Sequence, residues 1–321
     1  MSRFKADLQA EILEFRIPIK LVGLEDVKKR IEINREDGKY SINLNINAFI
    51  SLPAMQRGAH MSRSAESIDE CITDHIYDPI QNIERFGVNI AGSLLDKHGY
   101  SNVSHVQMEG PFIIQMRQRE GKASTQAAYY LKCEVIGHRG DGGEYTYKIF
   151  LTAIAEGMIA CPCGQEMSCE FSKEILANRE DLAIDGETVE KILNVIPVAT
   201  HNQRAVGTLT LQVPHPGAVD IMDMISTIEA SMSGKIAGIL KRPDEANLIR
   251  IVHQDPLFTE DVVRRMAYLL GSEKYERIPD EMQVSIKLLS YESIHPHQCS
   301  AETIISIGEL RKAIQNSRVK T

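Results

Sequence analysis

The chain has 321 residues, 43% hydrophobic and 25% charged, with a formal net charge of −8. That length supports two ordinary domains with a core in each, and the acidic balance excludes a nucleic-acid partner held through its phosphates, which needs a dense basic surface. No apolar run is long enough to cross a bilayer, and the N-terminal segment mixes both charge signs without an apolar signal core, so a cytoplasmic protein without a membrane partner is expected.

Residues 41–52 read SINLNINAFISL. Ile42, Leu44, Ile46, Ala48, Ile50 and Leu52 fall on alternate positions, the period of a strand with one buried face. Val27 to Ile33 is a partner strand, with Asp37-Gly38 as the turn. The polar stretch PAMQRGAHMSRS leads to a helix over 64–77 and a second from Pro79 to about His98, where Pro79 suits the first helical turn. Val103 to Arg117 and Ala127 to His138 are strand-like. The first portion therefore reads β-β-α-α-β-β.

The same order returns. Glu144 to Ile159 and Ala205 to Val213 are strands, Ala218 to about Leu240 and Thr259 to Leu270 are helices, and Glu281 to Tyr291 and Glu302 to Ile307 are strands. Residues 162–200 form an insertion, helical around 173–178 and 187–193. The expected fold class is α+β. Two tandem β-β-α-α-β-β modules, 1–140 and 141–321, carry antiparallel sheets with helices on one face. Such sheets leave open edges, which oligomerisation often closes.

Three of the six cysteines fall within nine residues, at Cys161, Cys163 and Cys169. That clustering suits metal or redox chemistry better than a disulfide framework. Cys161-Pro162-Cys163-Gly164 ends the long strand, and in isolation a pair of buried thiols is as good a reading as a ligand. A structural zinc on the three thiols lacks a fourth ligand nearby. His201-Asn202-Gln203-Arg204 precedes a strand. Tyr291-Glu292-Ser293-Ile294-His295-Pro296-His297 follows one, and Pro296 holds His295 extended. Lys241-Arg242-Pro243-Asp244-Glu245 reads as the cationic end of a helix, and Glu260 as the acidic start of the next. Arg57, His60 and Arg63 at a helix start suit phosphate groups. No Walker-type loop or dinucleotide fingerprint is present.

Taken in order, Leu52-Pro53…Arg57-Gly58-Ala59-His60-Met61-Ser62-Arg63, Cys161-Pro162-Cys163, His201-Asn202-Gln203-Arg204, Leu240-Lys241-Arg242-Pro243-Asp244-Glu245 and Glu292-Ser293-Ile294-His295-Pro296-His297 resemble the type IB GTP cyclohydrolases and their archaeal relatives of the MptA type. The resemblance covers about residues 18 to 312. The 37-residue link from Gly164 to Thr200, and Gly164-Gln165-Glu166 in place of Ser-Lys-Glu, favour the archaeal branch. It implies the tunnelling fold (T-fold), whose β-β-α-α-β-β unit is duplicated in each subunit. It also implies an Fe(II)-dependent conversion of GTP to 7,8-dihydroneopterin 2′,3′-cyclic phosphate with loss of formate and diphosphate, the first step toward tetrahydromethanopterin.

By the same resemblance, the metal ligands are Cys161, His201, Glu245, Glu292 and His295, with Cys161, His201 and His295 also catalytic. His201 is either a ligand or a proton shuttle. Glu260 is the purine anchor. His60, Arg63 and Arg204 are the candidates for the triphosphate. The mixed sulfur, nitrogen and oxygen set suits Fe(II), with Mn(II) or Zn(II) as possible replacements. A homo-oligomer, at least a dimer, is expected, with sites at subunit interfaces. Three rivals share much of this pattern: a type IB enzyme releasing dihydroneopterin triphosphate, a non-catalytic purine or pterin binder, and a deazapurine nitrile reductase with a cysteine nucleophile.

Overall fold

The computed structural model describes residues 7–12, 14–35, 38–77, 82–116 and 125–318. It is a mixed α/β protein with antiparallel strand pairing. The strands are β1 (Ile19–Arg35), β2 (Gly38–Leu52), β3 (Val103–Met116), β4 (Thr125–Arg139), β5 (Tyr145–Ala160), β6 (Asn202–Val213), β7 (Gly234–Lys235), β8 (Gln283–Ser290) and β9 (Cys299–Ser306). The helices are α1 (Met61–Tyr77), α2 (Ile83–Lys97), α3 (Pro162–Ala177), α4 (Gly186–Val195), α5 (Ile221–Ser231), α6 (Arg242–Gln254), α7 (Thr259–Leu269) and α8 (Ile307–Arg318).

The chain forms two compact units. The first comprises Met1–Ile114, Tyr130–Thr152 and Leu211–Asp220. Its strands run in the order β1-β2-β3-β4-β5. The alternation read in residues 41–52 holds at every position: Ile42, Leu44, Ile46, Ala48, Ile50 and Leu52 are all buried. They pack in one core with Ile83, Phe86, Ile90 and Leu94 of α2, which share a helical face at spacings of three and four. Asn82 caps α2, its side-chain carbonyl accepting the Arg85 N–H at 2.9 Å. The expected helix start at Pro79, the turn residue Asp37 and the strand end at Arg117 lie outside the described residues.

The second unit comprises Gln115–Tyr129, Ala153–Thr210 and Ile221–Thr321. Its strand order is β4-β5-β6-β8-β9, with β9 at the edge. Helix α7 packs on β8 and β9 and against α5. Its Val262, Val263 and Met266 are buried. Three expectations are corrected here. The helix expected to run to Leu240 stops at Ser231, and Gly234 joins β5 opposite Met158. A side chain at Gly234 would put its Cβ 2.5 Å from Val252 Cγ2, so helical propensity along 221–232 yields to close packing of α6 on this strand. The Lys241-Arg242 pair starts a helix instead of ending one, because Pro243 sits in its first turn, where a missing N–H costs nothing. The insertion is more helical than read. Helix α3 begins at Pro162 for the same reason, with Cys161 as its N-cap. Among the described residues no helix is long and apolar enough to cross a membrane.

Candidate active site

The ends of three strands of the second unit meet here. The Cys161 N–H, just past β5, donates to the His201 carbonyl at 3.0 Å, and the Tyr291 N–H, just past β8, donates to the Arg204 carbonyl at 2.9 Å. These two bonds bring Cys161, His201 and Glu292 into one region although up to 131 positions separate them in the chain. Leu257 N–H donates to the Ala160 carbonyl at 2.9 Å, which seats the start of α7, and with it Glu260, at the same strand end.

Cys161 is half-buried, and its sulfur accepts the Gly164 N–H at 3.4 Å. Gly164 is required by its surroundings. A Cβ there would lie 2.5 Å from Thr200 Oγ1, 3.3 Å from His201 Cδ2 and 3.7 Å from Cys161 Cβ. Gly164→Ala is therefore expected to destabilise the protein by about 1–3 kcal/mol through overpacking, read as a lowered denaturant midpoint. The turn before His201 is held from below. Gln165 donates to the carbonyls of Val198 at 2.8 Å and His253 at 2.6 Å, and the buried His253 ring lies 3.3 Å from the Thr200 carbonyl.

A polar network follows. His201 Nδ1 lies 3.0 Å from Gln203 Oε1. Gln203 Nε2 donates to both Glu292 carboxylate oxygens, at 3.2 and 3.3 Å, and to Ser290 Oγ at 3.3 Å. Ser290 Oγ donates to Glu292 Oε1 at 2.7 Å. In the sequence Gln203 stands within the His201–Arg204 motif without a role of its own, and Ser290 belongs to no motif. A signal existed: both occupy the inward phase of a strand, Gln203 with Ala205 and Leu209, Ser290 with Ile286 and Leu288. A polar side chain in that phase must find partners.

Cys299 opens β9 beside this network. Burial pushes its thiol up, and the negative Glu292, which accepts its S–H, and Glu260 add to the effect. Glu260 is exposed. Its own backbone N–H, the Thr259 hydroxyl and the Arg264 guanidinium hold its carboxyl below the usual range. It lines a cavity of about 680 Å³ with Arg264, Arg265, Tyr268, Glu302 and Thr303, a volume in the range of small-molecule sites.

The remaining candidates have surroundings of their own. Glu245 is exposed in the first turn of α6. His295 is exposed between β8 and β9, its ring stacked on His297 at 5.1 Å. Arg204 is ion-paired with Glu156 in a second cavity, of about 640 Å³, with Tyr129, Glu229 and Lys235. In the first unit His60 Nε2 lies 3.1 Å from Asp7, with Tyr100 on its other nitrogen at 3.3 Å. Arg63 donates to the Lys97 carbonyl at 3.2 Å. Among the described residues no three His, Cys, Asp or Glu side chains close on one point that would hold a metal. In kind the donors fit a borderline divalent ion: a thiol anchored at a helix start, an imidazole and a buttressed carboxylate.

Residues 6–301 match the family model described as "Type I GTP cyclohydrolase folE2". The GTP cyclohydrolase MptA of Methanosphaera stadtmanae is 38% identical over 299 residues, covering 92% of this chain and 94% of its own. That of Methanococcoides burtonii is 36% identical over 312 residues, covering 97% of each. Among solved structures, uricase from Arthrobacter globiformis aligns over 89% of this chain and 93% of its own, at 7% identity and a TM-score of 0.49.

Proposed function

The chain belongs to the type I GTP cyclohydrolase folE2 family and is an enzyme of that activity, and from this we propose that it converts GTP to 7,8-dihydroneopterin 2′,3′-cyclic phosphate, releasing formate and diphosphate at the head of tetrahydromethanopterin synthesis. The observation that carries the cyclic product is the likeness to MptA enzymes over nearly the whole chain. The 37-residue link between Cys163 and His201, folded as α3 and α4, agrees with that branch.

Cys161, His201 and Glu292 would hold Fe(II), with Mn(II) or Zn(II) as substitutes, and Glu245 and His295 would complete the set. The ion would supply Lewis acidity toward water and the guanine C8. The protein's own groups do the rest. Glu260, kept ionised, accepts from guanine N1–H and the 2-amino group and orients C8. If His201 is not a ligand of the ion, its Nε2 moves protons between water and the purine nitrogens, and His295 serves the second hydrolytic step. His60, Arg63 and Arg204 take the triphosphate, Arg204 by exchanging Glu156 for a phosphate oxygen.

The architecture belongs to the same reading: a tunnelling fold of two tandem modules, 1–140 and 141–321, assembled from at least two copies in the cytoplasm. The exposure of Glu245 and His295, and the open edge of β9, support sites shared between copies. The test is an anaerobic incubation with GTP and Fe(II). Formate, diphosphate and a cyclic monophosphate are expected. A pterin that retains its triphosphate would overturn the proposal in favour of a type IB activity.

A further inference from the structure

The polarity of the network around Gln203 is set at one end. The Glu292 carboxylate can only accept, so the Gln203 amide must present its NH2 to it. Ser290 gives its single proton to Glu292 at 2.7 Å, and its oxygen then accepts the other amide proton of Gln203 at 3.3 Å. Both amide hydrogens are thereby used on one side. The amide oxygen is left facing His201 Nδ1 at 3.0 Å, and an oxygen without hydrogens can only accept. His201 must therefore carry a proton on Nδ1, and in the neutral ring its lone pair is on Nε2.

We infer that Gln203 is a positioning residue that locks His201 as the Nδ1–H tautomer, relaying the acceptor character of Glu292 to the imidazole so that Nε2 is delivered as the ligand or base. The inference rests on the proposed assignment of His201 to the reacting centre. It concerns this chain's own proton placement and does not depend on the product formed. Tautomer control by an outer partner is a general device for such histidines. Three structural facts make Gln203 suited to it. It is buried, it is the second residue after His201 and lies on β6, and its partners Ser290 and Glu292 come from the end of the neighbouring β8 and the residues just past it, which the Tyr291 N–H to Arg204 carbonyl bond holds beside β6.

The test uses the full chain labelled with 15N-histidine, with neither metal nor GTP. The His201 resonances, assigned by their loss in His201→Ala, are expected to show a protonated Nδ1 and an unprotonated Nε2 above the titration range of imidazole. An Nε2–H tautomer in the native protein would overturn the inference without any variant. In Gln203→Leu the preference is expected to disappear. Gln203→Glu, which keeps an acceptor for Nδ1–H, is expected to retain it while losing the donors to Glu292. With Zn(II) alone as probe, both variants are expected to bind about 10–100-fold more weakly. In turnover, kcat should fall while KM for GTP changes by less than roughly threefold. An unchanged tautomer in a folded Gln203→Leu protein would sink the idea. A triphosphate product, or no formate, would count against the proposed function and leave the tautomer result standing.

Discussion

Cys161→Ala is expected to abolish Fe(II) retention and to lower formate release by at least about a thousandfold, or ~4 kcal/mol of transition-state stabilisation. Outer partners of a metal ligand typically change affinity by about 10–100-fold, so loss of the sole thiolate should exceed that. Cys161 differs from its neighbours in being tied to the helix start, where its sulfur accepts the Gly164 N–H and its backbone is paired to His201. Cys163 lies two residues on, exposed on the first turn of α3. Cys163→Ala should therefore retain metal and activity, as should Cys169→Ala. Metal content measured on desalted anaerobic protein, beside formate release, separates the three. Equal losses in Cys161→Ala and Cys163→Ala would point to a thiol pair instead of a single ligand.

Glu260→Gln should leave metal content unchanged and reduce kcat/KM for GTP by about 30–1,000-fold. The reason is geometric. A carboxylate accepts both N1–H and the 2-amino group, whereas an amide turns a donor toward one of them. The loss is about one charge-assisted hydrogen bond and part of a second, at roughly 1.5–3 kcal/mol each. A diagnostic accompanies it: the preference for GTP over inosine triphosphate, which lacks the 2-amino group, should shrink in the variant. The pH dependence has a definite sign. Because the Glu260 carboxyl sits below its usual range, its anchoring is complete at neutral pH and is lost only as pH falls through that lowered value. The part of the acid limb of kcat/KM that Glu260 contributes should therefore lie below the usual carboxylate range, and Glu260→Gln should remove it. An undiminished GTP preference in Glu260→Gln would move the purine anchor elsewhere.

Much of this molecule was legible in its residues. The alternation in β2 identified its buried face position by position, because one side of that strand is turned into the core. The acidic start and apolar spacing of Thr259 to Leu270 predict a helix, and α7 ends one residue earlier. The ordered short motifs identified the family, whose model matches residues 6–301.

What only the tertiary structure decided involves residues that meet across strands. The stop of α5 at Ser231 follows from the approach of Val252 to Gly234, which local propensity does not contain. Helix α6 packs on β7, a contact that its own residues do not specify. Gln203 and Glu292 are 89 positions apart and touch because β6 and β8 are neighbours in the sheet. Side-chain period fixes which face a residue occupies, but the partner on that face depends on strand order and register, which are set by the packing of the whole unit. The single thiol, Cys161, could be named from its motif; the amide that orients the histidine beside it could be found only once the strands were paired.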